Sequence, residues 1–106
     1  MKILKFLLIV FFLSLFSNFK SFSDEAMMKK GLEIFNETAA CAACHVLKAA
    51  GSEGNIGPNL NEIRPEINRV IAAVTNGIGV MPAYEGLLTE DEIKSVSYYV
   101  SEAAEK

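Results

Sequence analysis

The chain is poor in the nitrogen and sulfur side chains that hold metals, with one histidine and two cysteines in 106 residues. These fall short of the four ligands that a structural zinc site takes, and no second cluster stands elsewhere in the chain to complete the set. Structural zinc is therefore disfavoured. Positive charge is scarce as well, since ten Lys and Arg face thirteen Asp and Glu and no basic face is visible. Binding to phosphate backbones needs such a face, which makes nucleic acid a poor candidate partner. Long apolar runs are also lacking. The stretch Phe6 to Phe16 is eleven residues, against the ~20 that span a bilayer, so a permanent transmembrane helix is its weaker reading.

That stretch has another reading. Lys2 and Lys5 precede it and the polar segment Ser17 to Ser23 follows it, which is the pattern of a secretory signal. The small residues Ser21 and Ser23 place cleavage before Asp24, so residues 1–23 are read as the leader and 24–106 as the exported domain. An uncleaved anchor is the alternative, because Phe19 and Phe22 extend the apolar character; only then would the protein associate with a membrane. No cysteine lies near the cut, so a lipid anchor there is excluded. Cleavage removes Lys2, Lys5 and Lys20 but no acid, leaving seven basic against thirteen acidic residues, a formal charge of −6. The remaining chain is one small domain, near the size at which a metal, disulfide or cofactor helps hold a fold. Its expected location is the periplasm or an equivalent exported space.

The informative stretch is Cys41-Ala42-Ala43-Cys44-His45. Two thiols three positions apart, followed at once by an imidazole, match the pattern of c-type haem attachment. The thiols add across the two porphyrin vinyl groups as thioethers, and on a turn of helix the adjacent His45 swings beneath the iron as its proximal ligand. A thioredoxin-like redox pair would need a strand feeding the motif within a βαβ pattern, which is not found here. A disulfide closing so small a loop would stabilise little and would leave His45 without a role. Haem attachment also consumes both thiols, which an oxidising compartment would otherwise oxidise.

Around this stretch the chain reads as helices and loops. Glu25 to Ala39 has Met28, Leu32 and Phe35 on one face, with Gly31 leaving a bare patch that either permits close helix contact or is merely tolerated. Met27 and Met28 read as packing residues. Val46 to Ile56 reads as a loop without periodicity, marked by Gly51, Ser52, Gly54 and Asn55. In Gly57-Pro58-Asn59-Leu60, the Pro58 carbonyl is free to accept the second N–H of His45. A helix is expected over Pro65 to Asn76, with Pro65 in its first turn, an apolar face of Ile67, Val70, Ile71 and Val74, and Gly77 beyond its end. Met81 lies in an irregular Gly/Pro loop. It is the natural sixth ligand, because its thioether suits haem iron and no second histidine competes. The last helix opens on the capping box Thr89-Glu90-Asp91-Glu92 and buries Ile93, Val96, Tyr99 and Val100. Tyr98 falls off that stripe and should be half-exposed, and Ala103 to Lys106 should fray.

Taken in order, Gly31 and Phe35, Cys41 to His45, Gly57 to Leu60, Met81-Pro82 and Tyr99 resemble the class I c-type cytochromes over nearly the whole exported domain. The resemblance implies an all-α cytochrome c fold whose N- and C-terminal helices cross near Gly31, Phe35 and Tyr99, wrapped around one covalently bound haem. It implies iron ligation by His45 and Met81, a proline carbonyl at Pro58 behind the histidine, and Leu60 against the cofactor. The run Asn76 to Tyr84 is similar to the Met loop of small bacterial and photosynthetic-type monohaem cytochromes. It is similar also to that of cytochrome subunits of periplasmic dehydrogenases, including sulfite dehydrogenases. The implied function is single-electron transfer between redox proteins, a dehydrogenase or an oxidase docking at the haem edge, with no small-molecule substrate of its own. An obligate dehydrogenase subunit is the first rival. A haem enzyme or gas sensor would need an open sixth site, against which Met81 argues, and a distal His or Arg that the chain does not show.

Overall fold

A computed structural model describes residues 24–105; the expected leader, its length and its cleavage lie outside the described residues. Residues 24–33 form helix α1, which runs on into a π-helical turn, Ile34–Thr38. The wider turn is closed by the Ala39 N–H donating to the Ile34 carbonyl at 2.9 Å, a five-residue spacing. It carries the consecutive residues Ile34 and Phe35 both into the core.

After a 3-10 turn, Cys41–Ala43, comes a small antiparallel pair, β1 (Val46–Leu47) and β2 (Ser52–Glu53), with Val46 opposite Glu53 and Leu47 opposite Ser52. This corrects the expectation that Val46 to Ile56 is only a loop without periodicity. Strands two residues long leave no alternation to read, and the pair is held instead by the buried Ser52 hydroxyl, which accepts the Leu47 N–H at 2.9 Å. Gly51 makes the connection with φ of 70°.

Helix α2, Leu60–Ile63, starts where the Asn59 side chain accepts the N–H groups of Asn61 and Glu62. Helix α3 is Ile67–Asn76 and not the expected Pro65 to Asn76. Its N-cap is Glu66, whose carboxylate accepts the Asn68 N–H at 3.2 Å, so Pro65 stands before the helix and is itself buried. Val70 and Val74 of α3 are buried, with Ile67 and Ile71 partly so. Helix α4, Glu90–Ala103, has the full capping box: Glu92 N–H donates to Thr89 Oγ1 at 3.1 Å and Thr89 N–H to Glu92 Oε1 at 3.0 Å. Its buried face includes Ile93, Val96, Tyr99 and Val100, with Tyr98 half-buried. The expected fraying from Ala103 is corrected for the described residues. Ala103 and Ala104 are each 1% exposed, and the Asn61 side-chain amide donates to the Ala104 carbonyl at 3.5 Å. None of the described helices is long and apolar enough to cross a membrane.

The terminal helices cross where Gly31 of α1 meets α4. A Cβ built on Gly31 would overlap the Tyr99 Cβ and the Ser95 carbonyl oxygen. Close contact is therefore what this glycine serves. Next to the crossing, the Phe35 and Tyr99 rings pack tilted at 60° with centroids 6.1 Å apart, an edge-to-face geometry that aromatic quadrupoles favour. A Gly31→Ala change gains ~1 kcal/mol of helix propensity but must separate the helices, an overpacking cost of ~1–3 kcal/mol. Because the clash is partly with backbone, net destabilisation is expected. It should appear as a lower chemical-denaturation midpoint with an unchanged slope.

Candidate functional site

The site is built from a single turn. Without any side-chain cap, the chain leaves the π turn through Ala40, whose φ of 52° is left-handed, and restarts at once. Cys44 N–H and His45 N–H then both donate to the Cys41 carbonyl, at 3.1 and 3.0 Å. The turn brings both cysteines, which are free and half-buried, into one cleft with His45.

The back of this turn is held by backbone. Gly57 N–H donates to the Cys44 carbonyl at 2.7 Å, and the Ser52 hydroxyl donates to the His45 carbonyl at 2.8 Å. Gly54 approaches so closely that an added Cβ would sit 2.6 Å from the Ala43 carbonyl oxygen. His45 Nδ1 lies 2.8 Å from the Pro58 carbonyl oxygen. A carbonyl can only accept, so Nδ1 carries the proton and the Nε2 lone pair is free for a metal. Gly57 lies against the ring: a Cβ there would be 2.5 Å from Cε1 and 2.8 Å from Nδ1. Its φ is not left-handed, so the imidazole and not the backbone demands glycine.

Met81 reaches the same cleft from a tight turn. Ile78 N–H donates to the Met81 carbonyl at 3.2 Å and Met81 N–H to the Ile78 carbonyl at 2.9 Å. Gly77 and Gly79 make the bend with φ of 73° and 57°. Tyr84 ties this loop down: its N–H donates to the Val74 carbonyl at 2.8 Å and its hydroxyl to the Ala39 carbonyl at 3.1 Å.

The cleft has a volume of about 320 Å³ and is lined by all six expected site residues, Cys41, Cys44, His45, Pro58, Leu60 and Met81. Val70, Val74, Val96 and Val100 wall it. Burial pushes the Cys41 thiol up to about 11, with the Cys44 thiol adding to the rise and a backbone hydrogen bond opposing it. The apolar walls suit a flat porphyrin, and the two thiols and the imidazole with a free nitrogen match its vinyl groups and iron. Sequence reasoning missed Ser52 and Gly54 behind the turn, and Tyr84 and Arg69 in the cleft lining. Tyr84 follows Met81 closely enough to arouse interest, but its hydrogen-bond partner is 45 residues away and leaves no local signal.

A haem-attachment turn clamped from behind, facing an apolar cleft walled by α3 and α4 in a domain whose terminal helices cross, defines a c-type cytochrome. The comparisons with known proteins agree. The family model described as cytochrome c oxidase, cbb3-type, subunit III matches residues 26–100. Cytochrome c6 of Leptolyngbya boryana is 39% identical over 80 residues, covering 72% of this chain and 92% of its own. The cbb3-type oxidase subunit CcoP of Cereibacter sphaeroides is 37% identical over 82 residues, 73% of this chain but 28% of that protein. The crystal structure of the c-type cytochrome SorU from Sinorhizobium meliloti superposes with a TM-score of 0.73 at 50% identity, covering 77% of this chain and 95% of that one. The chain belongs to this family of class I c-type cytochromes. It carries one haem c, bound covalently through Cys41 and Cys44.

The intact mass of protein matured by its native machinery should exceed the polypeptide by one haem, and the excess should survive acid-organic extraction. Cys41→Ser, which leaves one thioether, should sharply lower the yield of matured protein on a haem-stained gel.

Proposed function

We propose that the protein is an exported monohaem electron carrier whose iron is ligated by His45 and Met81 and which passes single electrons between redox proteins in the periplasm. The observation that carries this reading is that both residues line one apolar cleft with both cysteines. Bound haem supplies one-electron chemistry between ferrous and ferric iron. His45, oriented by Pro58, offers Nε2 from one side; Met81 offers a soft thioether from its glycine-bounded turn. With both held, no coordination position is left for a substrate, so the protein transforms none itself. The valine walls exclude water and disfavour the extra ferric charge, and Met/His ligation acts in the same direction, so a positive reduction potential is expected.

Docking follows from the surface. The two segments that should frame the haem edge, Cys41 to Ala43 and Ile78 to Ala83, contain no charged residue. Ile78 and Val80 are 68% and 90% exposed. A carrier must leave after each transfer, so a small contact in the weak redox class below ~1,200 Å² is expected. The surplus of acids in residues 24–106 would steer a dehydrogenase or oxidase that carries basic residues. The second reading is an obligate electron-accepting subunit of a periplasmic dehydrogenase, such as a sulfite dehydrogenase. What supports residence in a complex is the likeness to CcoP, a subunit of a cbb3-type oxidase, of which the matching segment is 28%. Purification from native cells separates the two: a free monomer supports the carrier, and a constant stoichiometric partner supports the subunit.

Ferric protein should show the weak far-red sulfur-to-iron charge-transfer band. Met81→Ala should remove it and lower the potential, whereas Met27→Leu and Met28→Leu should not; loss of the band in either of those would reassign the ligand.

Steering acts over a Debye length of ~8 Å at physiological salt. In stopped-flow electron transfer with the native partner, raising ionic strength should slow association and affect dissociation less. A rate that rises with salt would mean an acidic partner. Ile78→Lys should slow transfer more than Glu102→Gln.

A further inference from the structure

We propose that Tyr84 is a positioning residue for Met81: its hydroxyl, bonded to the Ala39 carbonyl, fastens the loop that carries the thioether to the chain entering the haem-attachment turn, and so keeps small ligands away from the sixth coordination position. The inference rests on the Met81 ligation proposed above and on no particular redox partner.

The loop that follows α3 is bound mostly to itself and to the helix it leaves. Its turn closes on the paired Ile78 and Met81 hydrogen bonds, and it folds back so tightly that a Cβ on Gly77 would lie 2.7 Å from the Met81 carbonyl oxygen. Gly77 N–H donates to the Ala73 carbonyl, Tyr84 N–H to the Val74 carbonyl and Glu85 N–H to the Thr75 carbonyl, all in the last turn of α3. Left-handed glycines bound the segment, Gly77 with φ of 73° and Gly86 with φ of 83°. These contacts make a stiff unit attached to α3, but none of them reaches the turn that holds the cysteines and His45. Among the described residues, the hydrogen bond that crosses from this unit to the attachment side is that of the Tyr84 hydroxyl on the Ala39 carbonyl, at 3.1 Å.

The position suits a clasp. Ala39 closes the π turn and stands two residues before Cys41. Tyr84 stands three residues after Met81 and lines the cleft together with Ala40, Cys41 and Met81. Both Ala39 and Tyr84 are half-buried and pack against the core, where a hydrogen bond meets less competition from water than on an open surface.

A small ligand reaches the sixth position only from the conformation in which Met81 has moved off, so its apparent affinity scales with the population of that open form. Moving the thioether off means moving the stiff unit away from the attachment turn, which breaks the Tyr84 bond. A bond made in the closed form alone lowers the open population by its net strength. For one neutral hydrogen bond that is roughly two- to tenfold in an equilibrium constant.

The test is imidazole binding to ferric protein, followed by loss of the far-red band, in wild type, Tyr84→Phe and Tyr99→Phe, each checked for covalent haem by intact mass. Tyr84→Phe keeps the ring and removes the hydroxyl. It should raise the binding constant roughly two- to tenfold and lower the temperature at which the band bleaches, while the unfolding of the helices by circular dichroism changes less. Tyr99→Phe is the matched control, since it removes a buried phenol hydroxyl that has no hydrogen-bond partner among the described residues; it should bind imidazole as wild type does. Equal affinity of Tyr84→Phe and wild type overturns the inference, as does an equal rise in both phenylalanine variants, which would mark a general loosening of the fold. Failure of Tyr84→Phe to mature would make the hydroxyl a requirement of folding and overturns it too. A band that Met81→Ala leaves intact overturns the ligation reading itself, whereas a band that Met81→Ala removes, beside an unchanged Tyr84→Phe, overturns this inference alone.

Discussion

Five residues, Cys41 to His45, must present two thiols and an imidazole on one side, so their other side has to be supported by something thinner than a side chain. Gly57 N–H on the Cys44 carbonyl is the shortest of the backbone contacts that do this, at 2.7 Å. Gly54 and Gly57 press against the turn where any Cβ would collide with it. The rest of the middle of the chain follows from that need. The β1–β2 pair brings Ser52 and Gly54 behind the turn. Pro58 then holds the ring nitrogen, and Asn59 starts α2 immediately afterwards. Asn61 extends the support outward, accepting from Lys48 N–H at 2.8 Å and donating to the Ala104 carbonyl. The order of the C-terminal turn thus traces back to the loop that carries His45.

What could be read from the sequence was what local chemistry dictates. The haem-attachment motif needs its spacing, the capping box at Thr89 and Glu92 needs only its own turn, and the apolar stripe of α4 needs only helical periodicity. The crossing at Gly31 came from resemblance, and the clash at Tyr99 and Ser95 gives it a physical cause. What escaped depends on distant partners. The two-residue strands form because Ser52 bonds on both sides of its neighbours, and no pattern of two residues announces that. The π turn at Ile34–Thr38 answers the need to bury two consecutive large side chains. Helix α3 begins after Pro65 because Glu66 supplies a cap, a competition that favourable placement of proline in a first turn does not weigh. The end of α4 stays ordered because Asn61 reaches it across 43 residues.

The cofactor site and the hydrophobic core are not separate. Leu60, Val70, Val74, Val96 and Val100 belong to the buried core and line the cleft at the same time. Haem is therefore one wall of the core as well as the redox centre. This suits a domain of this size, whose apolar side chains alone bury little surface against the entropy of ordering the chain. It also explains why attachment is covalent in physical terms: the thioethers keep the missing wall in place through every opening of the small fold.

Exposed Ile78 and Val80 sit at the tip of the turn whose base is held by the Ile78–Met81 hydrogen bonds. Large apolar side chains left in water usually mark a contact surface or a liability. Here they occupy a loop that also carries Met81, so the same rigidity serves two purposes. The paired hydrogen bonds, the left-handed Gly79 and the Tyr84 tether to Ala39 hold the turn that carries Met81. They also keep the apolar tip in one shape, so a partner meets it without ordering it first, which lowers the cost of a brief encounter. In the proposed carrier role, the acids elsewhere on the chain would act at a distance, on the frequency of encounters, while the uncharged tip would limit how long each one lasts. Fast exchange in that role would follow from separating those two jobs: long-range charge would bring the partner in, and the uncharged segments Cys41 to Ala43 and Ile78 to Ala83 would leave no close ion pair of their own to be broken in letting it go.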